Sequence, residues 1–169
     1  MGHNKSKEAM VAQDLVKELF DYDPEGFLVY KKRARSGVPA GSRAGSDSGN
    51  CYRVITINFR HYVAHRLIWL WHKGEWPVGQ IDHINRKKRD NRIENLRTAS
   101  ESQNRANSKR KVDNTTGFKG VRFHGGRWYA RIMVNGKSIS LGGHGSPETA
   151  HEAYCTAAKG YFGDFANGG

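Results

Sequence analysis

Residues 79–107 read GQIDHINRKKRDNRIENLRTASESQNRAN. The stretch holds one Asp–His pair, five Asn side chains, and cations at Arg86, Lys87, Lys88, Arg89, Arg92, Arg97 and Arg105. Asn favours neither helix nor strand, so its repetition points to loops and to side-chain chemistry. QIDHI (80–84) alternates like a short strand, NRKKRDN (85–91) is a polar loop, and IENLRTA (93–99) is a second short strand or extended turn. Thr98 followed by Glu101, and Ser100 followed by Gln103, each fit a capping box, which predicts a helix starting near residue 100. The order strand, loop, strand, helix can bring His83, Asn95 and Asn104 to one point, with Asp82 beside His83. A carboxylate and an amide oxygen suit a hard ion such as Mg²⁺. A neutral His beside that ion can take a proton from water.

Working towards the N-terminus, AHRLIWLWHKG (64–74) is apolar on one side and stops at Gly74, so a helix is expected there, carrying Trp69 and Trp71 into a core. CYRVITINFRHYV reads as a hairpin, with strands at 52–58 and 61–64 and a turn near Phe59 and Arg60. Residues 35–50 are Gly- and Ser-rich and contain Pro39, which predicts a loop. GFLVYKK (26–32) reads as a strand. Met10, Val11, Leu15, Leu19 and Phe20 fall at helical spacing and predict a helix over 8–20.

Towards the C-terminus, NSKRKVDNTTG (107–117) is polar, basic and rich in turn formers, as a linker would be. FKGVRFH, GRWYARIMV and KSISLGG then have period-two character, separated by Gly125 with Gly126 and by Asn135 with Gly136. Asn-Gly between alternating runs is a strong hairpin signal. Ser146 as N-cap, Pro147 at the first helical position and an Ala-rich run predict a helix over 147–161. The expected fold class is α+β, with a module over 1–106, a linker over 107–117, and a three-stranded sheet plus helix over 118–169.

The formal net charge is +12 and the pI is about 9.9. Residues 51–106 carry 11 basic and 5 acidic side chains and residues 107–169 carry 9 and 4, whereas residues 1–50 carry 8 and 7. The excess therefore lies in two successive stretches, as if two modules followed one polyanion; nucleic acid is the first expected partner and an anionic membrane the rival. No apolar run approaches the ~18 residues of a membrane span. Two distant cysteines, Cys51 and Cys155, exclude a zinc knuckle within the chain. With no apolar signal core, they fit a reducing cytoplasm.

HRLIW, GEWP, IDHIN, DNRIENLR and QNRAN together resemble the HNH endonucleases, and within them the phage homing enzymes, across about residues 25–107. The resemblance implies a ββα-metal site. His83 would be the general base and Asp82 and Asn104 the metal ligands. Asn95 would orient His83 or the phosphate and brace the loop. Many members carry His where Asn104 stands, which implies Mg²⁺ or Mn²⁺ rather than Zn²⁺. Beside such a site Arg86, Lys87, Lys88, Arg89, Arg92, Arg97 and Arg105 are candidate phosphate contacts. Asn85, Asn91 and Asn107 read as turn formers or phosphate contacts. His65 and Arg66 read as packing and a backbone brace.

Gly120-Val121-Arg122, Arg127-Trp128, Ala130-Arg131-Ile132 and Glu148-Thr149-Ala150 resemble the AP2 DNA-binding domain, whose sheet lies in the major groove. That implies Arg122, Arg127, Trp128 and Arg131 as base readers, with Lys119 and Lys137 touching phosphate. Ser140 departs from the Trp usual in plant members. The expected function is a metal-dependent endonuclease, acting as a monomer and nicking duplex DNA, which leaves a 3′-hydroxyl and a 5′-phosphate. A non-catalytic duplex-binding regulator that keeps an HNH-like shell is the alternative.

Overall fold

A computed structural model of the chain describes residues 11–34, 37–49 and 51–169. The fold is mixed α+β, and the chain divides into two compact units, Met1–Thr98 and Ala99–Gly169. The division falls ahead of the residue-100 helix, so the polar stretch 107–117 lies inside the second unit.

In the first unit, α1 (Gln13–Leu19) leads into the hairpin β1 (Phe20–Asp23) and β2 (Phe27–Tyr30). The helix is shorter than its predicted 8–20 span: Phe20 already pairs with Tyr30 as strand, and residues 8–10 lie outside the described residues. The Gly/Ser-rich segment is not wholly loop. It contributes β3 (Ser46–Asp47), which pairs with β4 (Arg53–Ile57). β4 turns into β5 (Arg60–Val63) through Asn58 and Phe59, both at positive φ. That conformation matches the twist of a two-residue hairpin.

α2 (Ala64–Lys73) follows without a break and ends on Gly74 at φ 80°, the left-handed C-cap that glycine adopts at least cost. Its buried face is Ala64, His65, Leu67, Ile68 and Leu70, while Trp69 and Trp71 are half-buried against the core. Val16, Phe20, Leu28 and Ile55 complete that core. Indole N–H groups tie the N-terminal segment down: Trp71 Nε1 donates to Phe20 O at 3.3 Å and Trp76 Nε1 to Val11 O at 3.0 Å. β6 (Gln80–His83) and β7 (Leu96–Ala99) form a two-stranded sheet. A 3₁₀ turn over Ile93–Asn95 occupies the first part of the expected second strand.

The second unit opens with α3 (Glu101–Asn107). Of the two candidate capping boxes the Ser100–Gln103 pair is formed in both directions. β8 (Val121–His124), β9 (Arg127–Val134) and β10 (Lys137–His144) make an antiparallel sheet in the order β10-β9-β8. α4 (Pro147–Phe162) packs on one face, with Ser146 accepting from Thr149 N at its start. Gly120, at φ 76°, lets the backbone lie against Tyr154. A Cβ there would meet that ring at 2.1 Å, so no other residue fits.

Candidate functional site

β6 is buried at three consecutive residues, Ile81, Asp82 and His83. Burial of Asp82 and His83 demands partners, because an unpaired polar group in the interior costs several kcal/mol. Both have them. Arg97 on β7 donates from Nε to Asp82 Oδ2 at 2.9 Å. Asn91, only 1 % exposed, places Oδ1 3.0 Å from His83 Nε2. An amide oxygen can only accept, so Nε2 carries the hydrogen and the neutral ring keeps its lone pair on Nδ1.

Two aromatic rings lie against His83. His65 on α2 meets it edge-on at 5.2 Å between centroids, and Tyr52 sits 6.4 Å away. Burial above all pushes the His65 imidazole down to about 3, with the charge of Arg66 acting in the same direction, so it stays neutral beside His83. Arg66 braces the backbone ahead of β6, donating to Gly79 O at 2.8 Å and Pro77 O at 3.2 Å.

The loop between β6 and β7 is cross-tied by amides. Asn95 Oδ1 accepts from Asn85 N at 2.9 Å, and its Nδ2 donates to Asn85 Oδ1 at 3.0 Å and Asp90 O at 2.7 Å. Asn85 in turn donates to Asp90 Oδ2 at 2.6 Å and accepts from Lys87 N at 2.9 Å. Hydrogen bonds from Arg92 and Asn85 hold the Asp90 carboxyl well below the usual carboxylate range. From the N-terminal hairpin, Tyr22 Oη accepts from Ile93 N at 3.0 Å. Asn95 thus braces the loop, and the side chain against His83 is Asn91. Its sequence position gives Asn91 no mark that Asn85 lacks.

The candidate cations divide by partner. Arg86 and Lys87 are exposed, and Lys88 Nζ lies 4.7 Å over the Tyr52 ring, beside His83. Arg89 pairs with Asp47, Arg92 with Asp90, Arg97 with Asp82, and Arg105 with Glu101. Of these, Arg97 alone is turned inward, its side chain 18 % exposed. Asn104 lies on α3, in the second unit. Among the described residues no group of three His, Cys, Asp or Glu side chains could hold a metal.

In the second unit strand alternation decides which side chains face solvent. Arg122 pairs across with Tyr129, His124 with Arg127, and Arg131 with Ser140, so these share the face away from α4. Arg122, Arg127 and Arg131 are exposed, and Arg122 lies over the Tyr129 ring at 5.7 Å. Trp128 falls on the opposite side, half-buried against Val121, Ala130 and Ala150. Lys137 is exposed at the turn end of β10. Lys119 Nζ is engaged by backbone carbonyls rather than standing in solvent.

A family model described as HNH endonuclease matches residues 62–106. Those residues form a module homologous to the HNH nucleases and run from β5 through α3. Neither the curated proteins nor the solved structures contain a match to the chain. No helix among the described residues is long and apolar enough to cross a membrane.

Proposed function

We propose that the chain is a metal-dependent endonuclease of duplex DNA with His83 as general base. The observation that carries this reading is His83 itself. It is buried within an HNH-homologous module, and Asn91 fixes its tautomer by accepting at Nε2. Nδ1 is then the nitrogen that takes a proton from an attacking water. Attack at phosphorus breaks the bond to O3′ and leaves a 5′-phosphate and a 3′-hydroxyl. Asn95 keeps the loop, and with it Asn91, in register.

Asp82 and Asn104 are assigned as ligands of Mg²⁺ or Mn²⁺. The donor chemistry fits: one carboxylate and one amide oxygen suit a hard ion that keeps most of its water. When bound, such an ion stabilises charge on the phosphoryl and leaving oxygens. Arg97 fixes the Asp82 carboxylate in one orientation. Arg86, Lys87 and Lys88 contact phosphate on one side. The second unit, as an AP2-like domain, presents Arg122, Arg127 and Arg131 to the duplex. One general base serves one strand, so a monomer nicks.

The second reading is a non-catalytic duplex-binding regulator. Arg97 favours it, because a cation already neutralises Asp82. Cleavage of supercoiled plasmid in Mg²⁺, Mn²⁺ and EDTA separates the two, run beside His83→Ala with duplex binding measured in parallel. The nuclease reading expects nicking that needs the metal and falls about 10²–10⁴-fold in the variant at unchanged affinity. Tight binding without cutting in either metal would establish the regulator.

A further inference from the structure

Phe59 is at once strained and unburied. The β4–β5 turn consists of Asn58 at φ 48° and Phe59 at φ 63°, between the paired Ile57 and Arg60. Asn suits that left-handed conformation, and Gly is the residue usual after it. A bulky Phe there is an outlier, of the kind that persists where a function uses it. Packing within the chain does not offset the strain, because the ring is 97 % exposed. A lone exposed apolar residue is ordinary; one held in a strained conformation at the apex of a hairpin is not. Nor is the hairpin loosely held. Ile55, Ile57 and Tyr62 are buried in the core, and Thr56 Oγ1 lies 3.0 Å from His61 Nδ1 across the two strands. β3 pairs only with Arg53 and Val54, so the Ile57–Arg60 end extends past it. The hairpin is therefore a rooted finger with an aromatic tip. Its surroundings favour a polyanion: no carboxylate side chain occurs between Asp47 and Glu75, and Arg60, next to the ring, is exposed. The base of the finger lies at the proposed centre, since Tyr52, just ahead of β4, and His65, just after β5, both lie against His83.

We propose that Phe59 is a wedge that enters duplex DNA between adjacent base pairs, with Arg60 on the flanking phosphate. An apolar side chain inserted in this way unstacks a step and kinks the duplex. Attraction to phosphate alone would be served as well by a polar tip; insertion needs apolar bulk. The distortion costs least at pyrimidine–purine steps, so Phe59 adds sequence choice without reading a base edge. Six positions along the chain separate Phe59 from His65, which puts the tip within about 25 Å of His83. The wedged step then falls no more than about seven base pairs from the scissile bond. The inference rests on the duplex-DNA reading above and deepens it.

The test uses the full chain in EDTA, where no cutting intervenes, with the variants Phe59→Gly and Phe59→Leu. Affinity is measured for an intact duplex and for the same duplex carrying one abasic site, which leaves a gap in the base stack. A wedge binds the gapped duplex more tightly, because less unstacking remains to be done. The expected result is a preference of about tenfold in the wild type. That preference should vanish in Phe59→Gly and largely survive in Phe59→Leu, which keeps an apolar tip. Phe59→Gly relieves the strained φ, so it should unfold at the same temperature as the wild type or higher. Equal wild-type affinity for the two duplexes, or a preference that survives in Phe59→Gly, sinks the wedge and leaves duplex binding standing. A wild type that binds neither duplex takes the duplex reading down with it. Sedimentation without DNA gives the remaining outcome. Self-association of the wild type that Phe59→Gly abolishes would assign the tip to a second copy of the chain and overturn the inference.

Discussion

The two units place their charge in opposite ways. The first buries His65, Asp82, His83, Asn91 and Asn95. The second buries Ile132, Ala150, Tyr154, Ala158 and Phe162 with Asn107 as its one buried polar side chain among the described residues, and leaves Arg122, Arg127 and Arg131 outside. Buried polar groups cost free energy unless each is paired. A chain that nevertheless buries five within one short region is holding specific atoms in specific places. Exposed arginines on a flat sheet cost almost nothing and hold nothing in place; they offer long-range attraction to a polyanion. On the proposed function, the first arrangement suits a general base at His83 and the second adds attraction for the duplex.

The sharpest way to break that contrast is to remove one cation from each unit. Arg97→Met leaves Asp82 buried with its Arg97 hydrogen bond gone and is expected to cost about 3–5 kcal/mol of stability. Arg131→Met, on the open sheet face, is expected to stay within about 0.5 kcal/mol. Urea unfolding of both variants decides, and equal losses would refute the inward–outward distinction. Next in size is Asn91→Ala. With Nε2 no longer held, the His83 ring can turn, and cleavage is expected to fall on the order of 10²-fold while duplex affinity stays fixed. An unchanged rate would mean that Asn91 only fills space.

The converse variant replaces Arg122, Arg127 and Arg131 together with Gln. Duplex affinity is expected to drop about tenfold or more. The slope of log K against log salt should shrink by about 2–3, because each phosphate neutralised contributes nearly one unit. The cleavage rate at saturating enzyme should hold. Loss of that rate with affinity intact would move the sheet into the catalytic machinery and merge the two regions.

Local signals were legible in the sequence because they act over a few residues. Ser100 with Gln103, Asn135 with Gly136, Gly74 and Pro147 each marked an element boundary that the fold contains. The strand–loop–helix frame around Asp82 and His83 followed from them. Alternation within β9 separates Arg127 from Trp128, since neighbours on a strand face opposite ways, a split that grouping both as base readers passed over. What stayed hidden depends on tertiary placement. Asn91 differs from Asn85 only in which way the loop turns it. The pairing of Arg97 with Asp82 spans fifteen positions and looks like one more basic residue in a basic run. Lys119 reads as a surface charge until the backbone of α3 is beside it. β3 is two residues long and pairs only because β4 offers an edge.

The smallest expected effect concerns His65, the neutral ring at the back of the site. Its folded value is depressed from 6.5 to about 3, chiefly by burial. As pH falls below 6.5 the unfolded chain therefore binds a proton that the folded chain refuses. The stabilisation is fully present above about 6.5 and is lost progressively as pH falls from there towards 3. Between pH 7 and pH 6 the loss amounts to roughly 0.7 kcal/mol. His65→Phe keeps an aromatic ring against Tyr52 and His83 but cannot titrate, so this part of the slope should vanish. His72, also lowered by burial and then by the nearby charge of Lys73, contributes in the same direction and keeps its own share. Chemical denaturation at pH 7 and pH 6, for wild type and His65→Phe, reads the difference directly. A variant slope as steep as the wild type's would mean that His65 protonates inside the fold.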